Sequence, residues 1–317
     1  METKRNAAVI GAGVSGLTTA ILFAEAGFKT SVLADEIGDT TNSAAAAAMW
    51  YPYDVGGGDR VISWALASYE RFRALTRKPE TGVSMTELRV FSRLGPIDPP
   101  AWAQSFATRP LAEREVPAVF ASGFSIHVPL IETGNYLAWL ASRLTNAGGS
   151  ISGGVSFAKL EEVDATFDLI VNCAGIGARE LVPDPEMEPH RGQVAIVQKF
   201  DLPYAVVCDD PPLMYAIPRS NDCVFGGTND VSDNRFPDPR TTAEITRECE
   251  RVLGRTASAL IRERVGLRPG RRTGVRVAAE KLRDGRTVIH NYGHGGSGFT
   301  LSWGCAETAL SYVSSIA

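Results

Sequence analysis

The stretch Ala7-Ala8-Val9-Ile10-Gly11-Ala12-Gly13-Val14-Ser15-Gly16 decides the fold of this 317-residue chain. Its four leading apolar residues predict a buried strand, its glycines follow the spacing GxGxxG, and an apolar stripe over residues 17–24 predicts a helix. In this pattern Gly11 permits a tight turn, Gly13 lets a pyrophosphate approach the backbone, and Gly16 lets the helix pack closely on the strand. The helix N-terminus adds free amides and partial positive charge. We therefore predict a dinucleotide-binding site at the start of the chain.

An acidic residue narrows the choice of dinucleotide. The apolar run 31–34 reads as a second strand, and Asp35 closes it, 19 residues after Gly16. A carboxylate at this place accepts hydrogen bonds from ribose hydroxyls and repels a 2'-phosphate. The expected cofactor is therefore FAD or NAD and not NADP.

A second glycine-rich segment lies near the end of the chain. Residues 290–300 read His-Asn-Tyr-Gly-His-Gly-Gly-Ser-Gly-Phe-Thr and lead into another apolar helical run. Four glycines so close together allow the backbone to approach a neighbouring group without side chains in between. We expect this backbone to lie against a flat ring.

Composition and charge narrow the class of protein. With 44% hydrophobic residues the chain can bury a large core, and its length predicts two domains. A net charge of -4 and a pI near 5.7 argue against nucleic acid or an anionic membrane as the main partner. The five cysteines form no CxxC and no metal-like pairing with the four histidines, so we expect reduced thiols and no metal. No apolar run reaches transmembrane length, and we expect a cytoplasmic protein.

The order of predicted elements indicates an α/β fold. Residues 167–175 read as a buried strand running into a tight turn, which is typical of a central parallel sheet, whereas strand-like runs dominate from residue 193. Helices are expected at 62–76 and 256–264. We predict a Rossmann-like domain and a second α+β domain built on a mostly antiparallel sheet. The boundaries are 1–54, 135–185 and 265–317 for the first, cofactor-binding domain, and 55–134 and 186–264 for the second, substrate-binding domain.

Over essentially its full length the chain resembles the D-amino-acid oxidase family of FAD enzymes. The order of its motifs carries the resemblance, and the late glycine-rich segment is the most specific of them. The motifs are the opening fingerprint, Trp50-Tyr51-Pro52-Tyr53, Val171-Asn172-Cys173-Ala174-Gly175, His190-Arg191-Gly192-Gln193, Tyr215-Ala216-Ile217-Pro218, Gly226-Gly227-Thr228, Gly266-Leu267-Arg268-Pro269 and residues 290–298.

The resemblance implies an FAD site in the first domain. It places the late glycine backbone near the pyrimidine end of the isoalloxazine ring and a hydroxyl-rich turn near the pyrophosphate and ring. The alternative is that Thr41, Asn42 and Ser43 only form the turn and do not contact the cofactor. The residues implied in cofactor binding are Gly11, Gly13, Val14, Ser15, Gly16, Asp35, Thr41, Asn42, Ser43, Gly175, Gly293, Gly295, Gly296, Ser297, Gly298, Phe299 and Thr300.

The resemblance also implies a reaction and its catalytic residues. Arg268 matches the arginine that pairs with the substrate carboxylate, Tyr215 a tyrosine that donates to it, and the Gly296 carbonyl the acceptor of the substrate amine. Hydride would leave Cα of a D-amino acid for flavin N5 without a side-chain general base. The imino acid would hydrolyse to a 2-oxo acid and ammonia, and dioxygen would reoxidise the flavin to give hydrogen peroxide. Relatives are often homodimers, and a dimer is expected.

Departures from the eukaryotic pattern bear on specificity. Asp209-Asp210-Pro211-Pro212 replaces an aromatic lid, which predicts an open entrance and fast product release. The expected pocket wall is Met49, Tyr51, Met214, Ile217 and Arg219, with Tyr51 standing where eukaryotic relatives have glutamine. Arg271, Arg272 and Arg276 are read as structural or surface residues.

The pocket wall suggests neutral or apolar D-amino acids, with Arg219 read as a surface charge. An inward Arg219 would instead favour D-aspartate or D-glutamate. Glycine or secondary-amine oxidation on the same scaffold stays open, as does a flavin-binding protein without catalysis. Arg268 and Tyr215 argue against the last, because an idle site has no use for a carboxylate clamp.

Overall fold

The computed structural model describes residues 5–52, 58–256 and 259–314. The predicted domain boundary at residues 54 and 55 and Tyr53 of the Trp50 motif lie outside these ranges. The chain divides into unit 1, residues 1–83, 133–190 and 268–317, and unit 2, residues 84–132 and 191–267. Among the described residues, no helix is both long and apolar enough to cross a membrane.

Strands and helices alternate through unit 1 and give way to strands in unit 2. The strands are β1 (Asn6–Ile10), β2 (Lys29–Leu33), β3 (Val83–Ser92), β4 (Arg109–Pro110), β5 (Ser122–Ile131), β6 (Ser150–Ser152), β7 (Leu169–Asn172), β8 (Met187–Gln198), β9 (Ala205–Cys208), β10 (Met214–Pro218), β11 (Asp222–Gly226), β12 (Asp230–Val231), β13 (Leu260–Arg271), β14 (Arg276–Lys281) and β15 (Thr287–Tyr292). The helices are α1 (Val14–Glu25), α2 (Asp59–Leu75), α3 (Thr133–Asn146), α4 (Ala178–Leu181), α5 (Pro239–Leu253) and α6 (Gly298–Ser314).

The sheet of unit 1 confirms the predicted Rossmann-like fold. Its strand order is β14-β15-β7-β1-β2-β6, and every neighbouring pair from β15 to β6 is parallel. In the centre Val9 pairs with Val32 on one side and Val171 on the other, and none of the three is exposed. Helices cover the faces of such parallel sheets, and the central strands β1 and β7 are accordingly almost fully buried.

A close approach between two glycines sets the entry into α1. Gly11 adopts φ +104°, in the left-handed region that favours glycine. A Cβ on Gly16 would overlap the Gly11 carbonyl oxygen and lie 2.9 Å from its carbon. Because both groups belong to the backbone, neither can move aside without displacing β1 or α1. The sequence prediction that Gly16 permits close helix–strand packing is therefore confirmed in atomic terms.

The sheet of unit 2 is mostly antiparallel, as predicted. Its order is β12-β8-β11-β10-β9-β3-β5-β4, with β13 also paired to β8, and the β8–β11, β11–β10 and β10–β9 pairs are antiparallel. Helix α5 covers one face, where Ile245, Cys249 and Val252 join the core residues Ala216 and Phe225. The opposite face carries Tyr215.

The prediction of helix 256–264 was wrong, because residues 260–264 belong to β13. The Gln198 amide at the end of β8 donates to the Ala259 carbonyl at 2.9 Å. An open strand edge offers a whole row of backbone partners, and that outweighs the weak local preference of this segment for helix.

Helix α2 lies in unit 1 and not with the substrate domain, where the sequence placed it. Trp64 Nε1 donates to Thr308 Oγ1 at 2.8 Å, and the Gly304 amide donates to Ser68 Oγ at 3.1 Å. A Cβ on Gly304 would overlap the backbone of Trp64, so α2 and α6 pack in close contact. Partners this far apart in sequence are invisible to local patterns.

We predict that Gly16→Ala lowers the free energy of unfolding by about 2 kcal/mol, since overpacking against a backbone atom has no side chain to absorb it. Urea unfolding measures the change. Gly134→Ala is the matched control in the first turn of α3, where the nearest atom to an added Cβ is Asp39 Oδ1 at 4.0 Å. Alanine there should leave stability unchanged or raise it. Equal effects of the two substitutions would contradict the close-approach argument.

Candidate functional site

Three neighbouring strands of unit 1 each end in a glycine of the left-handed region. Gly11 follows β1, Gly175 follows β7 by three residues, and Gly293 follows β15, with φ values of +104°, +58° and +83°. Because β15, β7 and β1 are parallel neighbours, these glycines meet at one edge of the sheet. An added Cβ at Gly175 would meet no atom within 4 Å. Open α/β sheets bind ligands at this carboxyl edge.

The N-terminus of α1 opens onto the same edge. Its N-cap is Gly13, which offers no side-chain cap, and the Val14 amide donates to Ser43 Oγ at 3.0 Å. A Cβ on Gly13 would lie 2.8 Å from that same oxygen. The amides at positions 14 and 15 with Ser43 therefore form a polar, positively polarised cradle of the kind that holds phosphate.

The residues of the hydroxyl-rich turn 41–43 make different contacts. Ser43 stands at the α1 N-terminus, as just described. Thr41 is buried and serves the turn itself, accepting from the Ala44 amide at 3.3 Å and donating to the Gly38 carbonyl at 2.8 Å. Asn42 is exposed. The turn-former interpretation thus describes Thr41, and the cofactor interpretation fits Ser43.

Asp35 lies beyond the end of β2, next to the first glycine turn. The Gly11 amide donates to the Leu33 carbonyl at 2.9 Å, which ties the turn to β2. The Asp35 side chain is exposed, while its backbone carbonyl accepts from the Gly154 amide at 3.1 Å. A fixed backbone with a solvent-facing carboxylate suits an acceptor for ribose hydroxyls.

A buried hydrogen-bond chain joins the two glycine motifs. His294 Nε2 lies 3.0 Å from Asn291 Oδ1, and Asn291 Nδ2 donates to Thr19 Oγ1 at 3.0 Å. Thr19 in turn donates to the Ser15 carbonyl at 2.7 Å, while Ser15 Oγ donates to the Asn291 carbonyl at 3.3 Å. The sequence prediction missed the roles of Thr19, Asn291 and His294. Polar residues inside otherwise apolar runs were the signal that could have found them.

The end of the late glycine segment is hydrogen-bonded to the backbone of Tyr51. Thr300 Oγ1 accepts from the Tyr51 amide at 3.1 Å and donates to its carbonyl at 3.0 Å. Phe299 is buried, with its ring 6.2 Å from that of Tyr136. The side chains of Phe299 and Thr300 therefore serve packing and docking. Tyr51 and Met49 remain half-buried beside this segment.

Arg268 and Tyr215 are each set by a strand. In unit 1, Arg268 lies half-buried on β13, three residues before Arg271. In unit 2, Tyr215 pairs with Gly226, and Cβ atoms on Gly226 or Gly227 would collide with or crowd the tyrosine ring and hydroxyl. Glycine at both positions gives the ring its place on the sheet.

Met214 is not on the face of the sheet that carries Tyr215. Successive strand residues point to opposite faces, so Tyr215 and Ile217 share one face and Met214 takes the other. Met214 is fully buried there among Ala216, Cys249 and other core residues under α5. Its prediction as pocket wall is therefore corrected, because strand alternation turns it into the core.

Arg219 is not the surface charge that the sequence suggested. It is 9% exposed, and its Nε and Nη2 donate to the two carboxylate oxygens of Asp222 at 2.6 and 2.8 Å. Both residues flank the tight connection between β10 and β11. A bidentate pair of this kind matches the guanidinium charge within the chain itself.

The connection 209–212, for which the sequence predicted no aromatic lid, is fixed in unit 2. Asp210 accepts from Ser92 Oγ at 2.9 Å and from the Arg93 amide at 2.7 Å. Arg93 donates to the Pro212 carbonyl at 3.1 Å and pairs with Glu248 at 2.8 Å. These contacts hold both ends of the segment to β3 and α5.

The histidine of the late glycine segment is neutral at ordinary pH. Burial lowers the pKa of His294 to about 4, and burial likewise lowers the pKa of His290 against the opposing carboxylate of Glu280. His294 is 3% exposed. His294 therefore carries no charge around neutral pH. Across the described ranges, no cluster of three or more His, Cys, Asp or Glu side chains could hold a metal ion.

Comparisons with known proteins point to one family of flavoenzymes. A family model described as FAD dependent oxidoreductase matches residues 6–311. A D-amino-acid oxidase of Rubrobacter xylanophilus is 42% identical over 96% of this chain and 94% of its own length. One of Streptomyces coelicolor is 37% identical over 96% of each chain. The glycine oxidase structure from Bacillus cereus matches with a TM-score of 0.83 over 99% of this chain and 96% of that one, and at 15% identity it shows the fold alone.

We predict that acid weakens the fold through His294. Between pH 6.5 and about 4 an unfolded chain binds a proton at this histidine and the native chain does not, so stability falls as pH falls, by roughly 3 kcal/mol in all. Urea unfolding at a series of pH values measures the slope.

His294→Gln keeps an amide donor toward Asn291 and does not titrate, so its slope should be shallower. His127→Gln, at an exposed histidine, should keep the wild-type slope. Identical slopes in all three proteins would exclude His294 as the source.

Proposed function

The chain belongs to the D-amino-acid oxidase family of FAD dependent oxidoreductases, and from this we propose that it oxidatively deaminates D-amino acids to 2-oxo acids and ammonia. The supporting observation is the edge where three strand-end glycines, the open α1 N-terminus and the late glycine segment meet. The hydrogen-bond chain beneath them fixes their relation. Such an edge suits an extended dinucleotide with a ring at one end.

The residues present fit FAD. The amides of Val14 and Ser15 together with Ser43 would hold the pyrophosphate, and Asp35 would accept from the ribose. The backbone of residues 293–298 would lie along the ring. When bound, FAD accepts the two electrons released as the substrate Cα–H bond breaks. The chain's own part is to bind, orient and shield, because no side chain has to act as a general base.

For the substrate, we assign two groups to the carboxylate end and one to the amine end. Arg268 would pair with the carboxylate, since its planar fork matches two oxygens at once. Tyr215 would add a hydroxyl donor, and the Gly296 carbonyl would accept from the amine. His294 in this segment is neutral around pH 7 and so adds no positive charge of its own near the ammonium group.

Neutral or apolar side chains are the proposed substrates. On the sheet face of Tyr215 its strand neighbours include Ile217 and Val207, both apolar. Arg219 is matched by Asp222 and offers no spare charge for an acidic side chain. D-Aspartate and D-glutamate should therefore be poorer substrates than D-alanine.

The remaining parts of the proposal concern the acceptor and the setting. Dioxygen would take up the electrons and leave as hydrogen peroxide. We expect a homodimer, which sedimentation of the purified holoenzyme would test. We also expect a cytoplasmic location, which imaging of the tagged protein in cells would test.

We predict that D-alanine bleaches the bound flavin under anaerobic conditions and that L-alanine does not. D-Aspartate should bleach it more slowly than D-alanine. Absorbance in the visible flavin bands follows the reaction. Equal rates with the two alanine enantiomers would contradict the proposed activity.

We further predict that Arg268→Ala raises the Kd for D-alanine about 100-fold, since a charge-assisted bidentate contact is lost. The rate of flavin reduction at saturation should change less. The matched control is Arg272→Ala in the same segment, where an exposed guanidinium pairs with Glu186 and Glu188. An unchanged Kd in Arg268→Ala would remove Arg268 from the site.

A further inference from the structure

One buried carboxylate in unit 1 gathers three separate segments. Asp184 is 6% exposed, and its Oδ2 accepts from Tyr292 Oη at 2.8 Å and from Arg271 Nε at 2.9 Å. Its Oδ1 accepts from the Glu186 amide at 3.0 Å. Both oxygens are thus used, and none of these contacts belongs to the cofactor cradle described above.

The two side-chain partners of Asp184 stand at decisive places. Tyr292 is the last residue of β15 and immediately precedes Gly293, the first glycine of the late glycine segment. Arg271 is the last residue of β13, three positions after Arg268. The Arg271 side chain also lies over Gly293, since a Cβ there would be 3.0 Å from both Arg271 Cβ and Cδ. Asp184 therefore joins the end of the Arg268 strand to the start of the glycine segment.

The charges around Asp184 keep this junction in one state. Burial raises the pKa of Asp184, but the donors Arg271 and Tyr292 outweigh it, and the net pKa lies below the usual range. Burial, reinforced by Asp184, raises the pKa of Tyr292 to about 12. Tyr292 Oη also accepts from Arg276 Nη1 at 2.7 Å, and Arg276 pairs with Glu280 at 2.8 Å. Around neutral pH Asp184 is therefore ionised, and Tyr292 keeps its proton.

We propose that Asp184 is a positioning residue for substrate binding, which holds Arg268 at a set distance from the Gly293–Gly298 backbone. This rests on the proposed role of Arg268 as carboxylate partner. An amino acid held at its acid end by Arg268 and at its amine by Gly296 needs both at one spacing, because small displacements weaken oriented contacts strongly. Asp184 sets that spacing through Arg271 and Tyr292 without touching substrate.

The test measures D-alanine binding to the holoenzyme by anaerobic stopped-flow reduction, which separates the Kd from the limiting rate. Asp184→Asn keeps the shape and loses the charge that matches Arg271. Its Kd should rise about tenfold, with a smaller change in the limiting rate and with flavin still bound. Tyr292→Phe keeps the Asp184–Arg271 pair and should raise the Kd less, and it carries the test if Asp184→Asn does not fold. Glu307→Gln breaks an exposed ion pair with Arg71 elsewhere in unit 1 and should leave the Kd within twofold.

A second background separates positioning from general destabilisation. If Asp184 acts through Arg268, its substitution should raise the Kd less than twofold when Arg268 is already lysine, since coupled residues are not additive. The same tenfold rise in the Arg268→Lys background would overturn the proposal. So would a lower melting temperature with an unchanged Kd in both Asp184→Asn and Tyr292→Phe. An unchanged Kd in Arg268→Lys and Arg268→Ala alone would instead show that the role of Arg268 is wrong, and this proposal would fall with it.

Discussion

The hydrogen-bond chain from Ser15 through Thr19 and Asn291 to His294 is the constraint on which the rest of the site depends. Its two ends lie in glycine motifs that are 276 positions apart at the Ser15–Asn291 contact. Each neutral hydrogen bond contributes only about 1 kcal/mol, but a buried group left without its partner costs about 1–3 kcal/mol. This series of hydrogen bonds is therefore stable when complete, and breaking any one of them is costly. It fixes the spacing between the first turn of α1 and the late glycine segment.

The neutrality of His294 follows from the same burial that makes the chain stable. An imidazolium in this place would lose its hydration without gaining a carboxylate, and burial alone lowers its pKa. As a neutral ring, His294 can donate to Asn291 and leave the glycine backbone above it uncharged. The hydrogen bonds of this edge and the neutrality of His294 thus have one physical origin.

Much of the local structure of the candidate cofactor site could be predicted from sequence because its determinants are local. The positions of Gly11, Gly13, Gly16 and Asp35 follow from one strand, one turn and one helix whose residues are adjacent in the chain. The wrong predictions share a different origin. Helix α2 was assigned to the wrong unit because its partners lie on α6, and residues 260–264 lie in a strand because β8 offers an edge. Such contacts join distant parts of the chain and leave no local pattern.

Side-chain direction was the other quantity that sequence could not supply. Met214 and Tyr215 are neighbours in the chain, yet strand alternation sends one into the core and the other to the opposite face. Which residue takes which face depends on where α5 lies. Arg219 shows the same limit for charge. Its pairing with Asp222 needs the β10–β11 connection to close, and only then does an arginine that looked like a surface charge become a matched, buried pair.

These points bear on how one fold can serve different substrates. A glycine oxidase with 15% identity shares the fold over nearly the whole chain, so the fold leaves the substrate open. Specificity must then reside in the side chains that line the site and in the contacts that aim them. A buried ion pair such as Arg271–Asp184 adds little net stability, because desolvation offsets much of the attraction. Its geometry is nevertheless strict, since both ends lose their partners if β13 or the connection 182–186 shifts. This strictness suits the proposed junction between the Arg268 strand and the late glycine segment better than a simple apolar contact, which would tolerate sliding.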